Sequence, residues 1–160
     1  KYYDTKIRLG DDFNLIYPAL LAASRIVIMK DALFYHYRYV EDSIVHGYDP
    51  GMAENVARWY RAVRKIVCDH HVPDGEAKLD REYCYMMLYV IKNELRSPGR
   101  DYVRRIRSIF TEPEVRGRID GTAVHVTSRA NALLFLGIRY PNALLLRILR
   151  LIIKGYDRRR

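Results

Sequence analysis

The spacing of hydrophobic residues changes character near residue 49. From Asp49 onward, apolar residues recur every three or four positions, which places them on one face of an α-helix. Asp49 and Pro50 are typical of a helix start, as a cap followed by proline at the first helical position. This part of the chain is therefore predicted to be helical. The first apolar face comprises Val56, Trp59, Val63, Ile66 and Val67.

The same periodicity continues towards the C-terminus. It predicts a second helix over about 79–95, which stops just before Pro98, and a third over 102–110. Another short helical piece is predicted to open within Thr111-Glu-Pro-Glu, through a proline-containing cap. Residues 121–136 favour a further helix, although their two valines also allow a strand. The last helix is predicted over about 140–154, which gives four to six helices after residue 48.

The first 48 residues follow a different pattern. Asp11 and Asp12 precede an apolar-periodic run that predicts a short helix with acidic residues at its N-terminus. Pro18 would cost this helix a hydrogen bond unless it lies in the first turn. Residues 25–29 form a β-branched apolar run typical of a short buried strand, and the alternation over 32–39 predicts an extended aromatic segment.

The predicted fold class is mainly α. A helical bundle over 49–160 is expected to follow a small α/β edge over 1–48, with one helix and one or two short strands. The chain has 160 residues, of which 49% are hydrophobic. That composition allows a folded core and excludes a disordered segment.

Charge and candidate metal ligands narrow the function classes only slightly. The formal net charge of +9 favours anionic partners, whether nucleic acid, acidic lipid or phosphorylated substrate. Cys68 and Cys84 form no CxxC pair, so a thiolate metal or redox site is not predicted. His70 and His71 are adjacent and would point in different directions, so no metal site is predicted in that loop. No P-loop or dinucleotide-binding glycine motif occurs in the sequence.

Four segments in register resemble family-2 glycosyltransferases of the GT-A fold. Residues 9–15 (Leu-Gly-Asp-Asp-Phe-Asn-Leu) resemble that family's Gly-Glu-Asp-x-x-Phe segment. The three segments that follow are a helix leading into an apolar strand (19–28), an aromatic Leu-Tyr-x-Tyr-Arg-like run (33–38) and a Ser-Ile turn (42–46). The resemblance implies that residues 1–48 are the C-terminal edge of a GT-A catalytic domain.

The resemblance also implies roles for individual residues. Asp12 takes the position of the general base that removes a proton from the acceptor hydroxyl. Asp11 stands where the family usually has Glu and would position the acceptor or the base; both aspartates could instead only cap a helix. Arg38 would hold the diphosphate or the acceptor, or else pair with a neighbouring carboxylate. His46 would approach the metal-diphosphate, or else be a solvated loop residue.

The sugar-nucleotide-binding half expected of such an enzyme has no counterpart in the sequence. No Asp-x-Asp metal motif occurs, and the nearest pair, Asp80 and Glu82, falls within the second predicted helix. We therefore expect a fragment of a longer protein, also because Lys1 is not an initiator Met. The parent would transfer a sugar from a nucleotide-sugar donor to a growing surface glycan or lipid-linked acceptor, with inversion. Its divalent metal, Mg or Mn, would be bound by the missing half, and this chain alone is expected to be inactive.

Two other partner classes remain open at the level of sequence. The last segment, 140–160, combines an apolar helix with basic residues and predicts peripheral contact with an anionic membrane. The protein would then be cytoplasmic and would bind the inner face of the plasma membrane. It could equally be a core helix with a charged edge. The rival function is a basic, non-enzymatic helical module that binds nucleic acid through arginines of 96–107, or a protein partner. No nucleic acid is expected if the chain is a transferase.

Overall fold

The computed structural model describes residues 6–30 and 47–158 of the chain. Within these ranges the fold is mainly helical, as the sequence predicts, and no residue of them is in a β-strand. The seven helices are α1 (Phe13–Ala22), α2 (Met52–Asp69), α3 (Gly75–Arg96), α4 (Tyr102–Phe110), α5 (Pro113–Gly121), α6 (Arg129–Arg139) and α7 (Ala143–Asp157).

Helix α3 is the centre of the bundle. It contacts α2, α4, α5, α6 and α7, and more than half of its 22 residues are buried. At 100° per residue, the buried Cys84 and Glu94 fall within the apolar face that the periodicity predicts, and the buried Leu88 lies at its edge. Partners on several sides make this buried face wide, whereas Lys78, Glu82 and Tyr89 lie together on the exposed side.

Local chemistry accounts for several helix ends. The Asn142 side chain caps α7 by accepting a hydrogen bond from the Leu145 N–H at 2.8 Å. Glu112 caps α5 by accepting from the Val115 N–H at 2.8 Å, with Pro113 at the first helical position. Asp49 accepts from the Gly51 N–H at 2.8 Å, so it closes the turn before α2 rather than capping the helix itself.

The α/β edge predicted for the first 48 residues is not seen in the described part of the chain. Residues 25–29 form no strand, and the side chains of Ile26, Val27, Ile28 and Met29 are exposed rather than buried. A strand is stabilised by hydrogen bonds to a neighbour, and no neighbouring strand exists among the described residues. The second predicted segment, 32–39, lies outside the described residues.

Two helix predictions differ in their details. Only the second half of 121–136 is helical, since α6 begins at Arg129, and neither Val124 nor Val126 is in a strand. The intervening segment is extended and is held by the Tyr85 hydroxyl, which donates to the His125 carbonyl at 2.9 Å. Pro18 lies well inside α1 rather than in its first turn.

Gly137 determines how closely α6 approaches the rest of the bundle. A Cβ at this position would lie 2.6 Å from Leu149 Cδ1 of α7 and 3.1 Å from Ile91 Cδ1 of α3. Both are shorter than ordinary van der Waals contacts, so a larger residue would push α6 outward. The absence of a side chain therefore lets three helices meet at one point of the core.

Candidate functional site

The segment that leads into α1 is tied to the bundle by one asparagine of α2. The Asn55 amide oxygen accepts from the Arg8 N–H at 2.6 Å, and its amide nitrogen donates to the Leu9 carbonyl at 3.2 Å. A side-chain amide paired with backbone in this way imitates a strand partner. The side chain of Ile7 beside it is buried in the core. The backbone just before the predicted catalytic pair is thus fixed by α2.

Gly10 and Trp59 set the direction in which the chain enters α1. Gly10 has a positive φ of 77°, and a Cβ there would lie 2.8 Å from Trp59 Cδ1. Both the backbone angle and the close approach to the indole require glycine. Phe13 then packs against the same indole at a ring-centroid distance of 5.9 Å and against Tyr17 at 5.1 Å. These contacts attach the first turns of α1 to α2.

Asp11 and Asp12 lie at the start of α1 with exposed side chains. Asp12 Oδ1 accepts from the Phe13 N–H at 3.1 Å, and the Asp12 carbonyl accepts from the Ile16 N–H at 2.8 Å. The Asp11 carbonyl accepts from the Asn14 N–H at 3.1 Å. The sequence-predicted helix start is therefore confirmed. Asp12 caps its own helix, and because its side chain is exposed the carboxylate is accessible to a hydroxyl group from solvent.

The charge of Asp12 acts on its surroundings. The pKa of Tyr17 is raised above its ordinary value, first by burial and then by the negative charges of Glu82 and Asp12. The two carboxylates therefore bring negative charge to the same side of the α1–α3 region. A neutral hydroxyl group is more stable next to these negative charges than an anionic group is.

The outward side of this region is apolar. Leu15, Ile16, Leu20 and Leu21 of α1 are exposed, as are the four residues 26–29, with Ile28 at 80%. A contiguous run of exposed aliphatic residues is unusual on a protein surface and marks a site of interaction. The predicted catalytic pair thus lies at the edge of an apolar surface that no described residue covers, named here the α1 surface.

Arg38 and His46, the two predicted substrate-binding residues, lie outside the described residues. Their roles stay predictions, as do the alternatives given for each. Among the residues that the structure describes, no group of three or more His, Cys, Asp or Glu side chains could hold a metal ion. Asp80 belongs to the pair with Glu82 that comes nearest to an Asp-x-Asp motif. Its carboxylate accepts from the Tyr60 hydroxyl at 2.7 Å and lies 3.7 Å from the Arg118 guanidinium.

The basic residues of α7 divide into two groups. Arg150 turns into the bundle: its guanidinium donates to the Ser97 carbonyl at 2.8 Å and the Gly99 carbonyl at 3.2 Å, over the Tyr102 ring. Arg147, Lys154 and Arg158 are exposed and have no ion-pair partner within residues 6–30 and 47–158. Among the described basic residues of α7 and its C-cap, these three are available to a partner outside the bundle.

The face of α7 that points away from the core is apolar. Leu146 and Leu149 are buried, whereas Leu144, Ile148 and Leu151 are exposed, Leu151 at 71%. At 100° per residue these three lie on one side of the helix, next to the exposed cations. In the described part of the chain, no helix is both long enough and apolar enough to cross a bilayer.

The arginine-rich segment that supports a nucleic-acid module is largely used inside the protein. Arg105 donates to Glu94 at 2.8 Å and also bonds to Asp101 and the Ser97 hydroxyl. Arg107 donates to the Pro141 carbonyl at 2.9 Å. Among the arginines of this segment, Arg104 is exposed over 85% of its side chain, and Arg107 is exposed as well despite its bond to Pro141.

Sequence reasoning missed two asparagines that attach loop segments to the bundle. Asn55 was not singled out, and neither was Asn93, whose amide accepts from the Asp49 N–H at 2.7 Å and donates to its carbonyl at 2.8 Å. An asparagine on an otherwise apolar helix face is the signal that could have identified both.

Comparison of the chain with protein-family models, curated proteins and solved structures found no match.

Proposed function

We propose that this chain is the acceptor-side part of an inverting glycosyltransferase, with Asp12 as the general base and Asp11 positioning the acceptor or the base. The resemblance of residues 7–48 to family-2 enzymes is one support. The observation that carries the proposal is the exposed Asp12 carboxylate, held at a fixed helix start beside the uncovered α1 surface. A base must be both reachable and fixed, and this residue is both.

The α1 surface supports a second element of the proposal. Its aliphatic side chains and the β-branched run at 26–29 would be covered by the sheet of a donor-binding half, which also supplies a strand partner for that run. The proposed base would then face the junction of the two halves. That is where a sugar donor and an acceptor have to meet.

The proposed reaction is a single displacement at the anomeric carbon. Asp12 takes the proton from the acceptor hydroxyl as that oxygen forms the new glycosidic bond, and the bond to the nucleoside diphosphate breaks. The diphosphate leaves with the electron pair. The metal expected in the donor half would supply charge stabilisation for that leaving group. The residues of this chain handle only the proton and the orientation of the acceptor.

The test is sugar transfer by the full-length protein that contains this chain. Asp12→Asn removes the base and is expected to lower kcat by a factor of about 10²–10⁴, with a much smaller change in KM. Asp11→Asn is expected to have a smaller effect. Asp74→Asn is the matched control, because Asp74 is an exposed loop aspartate with φ of 53°, a conformation that asparagine also adopts. A D12N enzyme with the turnover of D74N would refute the assignment.

A second candidate function, compatible with the first, is attachment to an anionic membrane surface through α7. The exposed Leu144, Ile148 and Leu151, beside three cations with no ion-pair partner in the described part of the chain, form the pattern of a helix that lies in the membrane interface. Three basic residues near an anionic surface contribute on the order of 3 kcal/mol together, so binding should weaken with salt. The internal bonds of Arg105 and Arg107 favour this partner over nucleic acid.

Vesicle co-sedimentation distinguishes the two anionic partners. Vesicles containing phosphatidylglycerol are expected to retain the protein and pure phosphatidylcholine vesicles are not. The double variant Arg147→Gln/Lys154→Gln should lose most of this binding. The control Arg100→Gln/Arg104→Gln removes the same charge from exposed residues elsewhere and should retain it. A salt-dependent shift of duplex DNA that only the control variant abolishes would instead support the nucleic-acid module.

A further inference from the structure

A groove of about 490 Å³ lies between α3, α6 and α7. Gly47 and Met52 also line it, and none of its lining residues belongs to α1. Its volume falls in the range of small-molecule sites, roughly 300–1,000 Å³. The groove is open along the side where α6 and α7 expose Leu133, Ile152 and Tyr156. Its floor is formed by side chains that include Leu134 and Leu149.

Three charged residues face this groove, and two of them neutralise each other. Arg96 and Asp157 form a bidentate pair, with Nε to Oδ2 and Nη2 to Oδ1 both at 2.9 Å. The third is Lys92, which has no carboxylate within ion-pair distance in the described parts of the chain. Its ammonium group lies 5.8 Å from the centroid of the Tyr89 ring. Among the described residues, the groove therefore carries one positive charge without a counter-ion.

The environment of Lys92 disfavours an isolated cation. The pKa of Lys92 is lowered from its ordinary value, first by burial and second by the positive charge of Arg96. A cation that is partly removed from water is stabilised by a nearby anion. An anion that enters the groove would supply that stabilisation, and the apolar walls would bind whatever chain is attached to it.

We propose that the groove between α3, α6 and α7 binds a single-chain amphiphile, with its alkyl chain along the apolar walls and its carboxylate paired with Lys92. A monoanionic headgroup matches the single uncompensated charge. Because the groove shares no residue with the Asp12 site and is not lined by Leu144, Ile148 or Leu151, this inference goes beyond the proposed transferase and its membrane contact. Either can fail without the other.

Calorimetric titration with ten-carbon probes below their micelle concentrations tests the headgroup. Decanoate is expected to bind at least about tenfold more tightly than decanol, the gain of a charge-assisted pair. Lys92→Met should abolish that difference, and Lys92→Arg should retain most of it. Arg100→Met removes the same charge from an exposed residue outside the groove and should leave the affinities for decanoate and decanol unchanged.

A second variant tests the position of the alkyl chain. Ala130 is exposed on α6 at the rim of the groove, so Ala130→Phe can narrow the groove without disturbing the core. It is expected to weaken decanoate and decanol by similar factors while leaving vesicle binding intact. Thermal unfolding of each variant would show that the fold is retained.

Three results would overturn the proposal. The first is equal affinity of the protein for decanoate and decanol. The second is unchanged decanoate binding in both the Lys92→Met and Ala130→Phe variants. The third is tighter binding of decyl phosphate than of decanoate, because that preference contradicts a monoanionic headgroup.

Discussion

Three buried asparagines show how the same side chain can fix a loop or weaken a core. Asn55 and Asn93 each bond to both the N–H and carbonyl groups of neighbouring segments. Asn14 is only 2% exposed, and neither its amide oxygen nor its amide nitrogen has a hydrogen-bond partner in the structure as described. An unpaired buried amide costs about 1–3 kcal/mol, whereas a paired one stabilises the fold.

Replacement of Asn14 by leucine should therefore raise the free energy of unfolding by about 1 kcal/mol. The matched change Asn93→Leu should lower it by about 2 kcal/mol, because it releases both backbone groups of Asp49. Urea unfolding followed by circular dichroism measures both values. A loss of stability in N14L as large as that in N93L would contradict the assignment of an unpaired amide.

At the scale of elements, Arg150 joins the C-terminal helix to the end of α3. It donates to two carbonyls beyond the last turn of α3 and lies over the Tyr102 ring at 4.1 Å from the centroid. Orphan carbonyls at a helix end are commonly satisfied by such a donor. One arginine therefore connects α7, α3 and α4.

Arg150→Gln should destabilise the protein by about 1–3 kcal/mol, because the carbonyls of Ser97 and Gly99 lose charged donors. Arg150→Lys should recover only part of that loss, since a lysine cannot reach two carbonyls with a planar fork. Arg147→Gln, one turn earlier and exposed, is the control and should stay within about 0.5 kcal/mol of the wild type. Thermal unfolding compares the three variants. Equal losses for R150Q and R147Q would contradict the capping role.

At the scale of the whole molecule, burial raises the pKa of several weak acids. The Cys84 pKa rises to about 11, mainly because the thiol is buried. Burial also raises the pKa of Tyr83, Tyr60 and Tyr17. Each of these groups stays protonated in the folded state at a pH at which it ionises in the unfolded chain. The folded state therefore binds more protons in alkaline solution.

Stability should consequently decrease as the pH rises above about 9. Below the ordinary pKa of a thiol, about 9, Cys84 contributes its full stabilisation. Between about 9 and 11 only the unfolded chain loses the proton, and the free energy of unfolding falls by up to about 1.4 kcal/mol per pH unit. Urea unfolding from pH 8 to 10 measures the slope. In Cys84→Ala the slope between pH 9 and 10 should flatten, before the tyrosines contribute; an unchanged slope would contradict this origin.

The hydrophobic periodicity was sufficient to predict a helix and its bounds where the helix has one apolar face and clear end signals. The bounds of α4 agree with the predicted 102–110, and the end of α3 before Ser97 agrees as well. It was insufficient for 25–29, where β-branched residues predicted a buried strand that has no partner among the described residues. Strand formation depends on a neighbour, so a local pattern cannot determine it.

The candidate site shows the same division. The sequence placed Asp11 and Asp12 at a helix start, because acidic residues before an apolar run favour that position. It could not show that Asn55 fixes the segment before them, because that contact joins residues 46 or 47 positions apart. Nor could it separate Arg150 from the exposed cations of α7.

The sequence by itself determined the helical fold, most of the helix limits and the exposed aspartate pair, because these depend on interactions among residues close in the chain. The tertiary structure decided which charges remain uncompensated. Arg105, Arg107 and Arg150 are bonded within the protein, whereas Lys92 is left without a carboxylate in the described part of a groove formed by three helices. Such pairings depend on which helices meet, and spacing along the chain does not encode that.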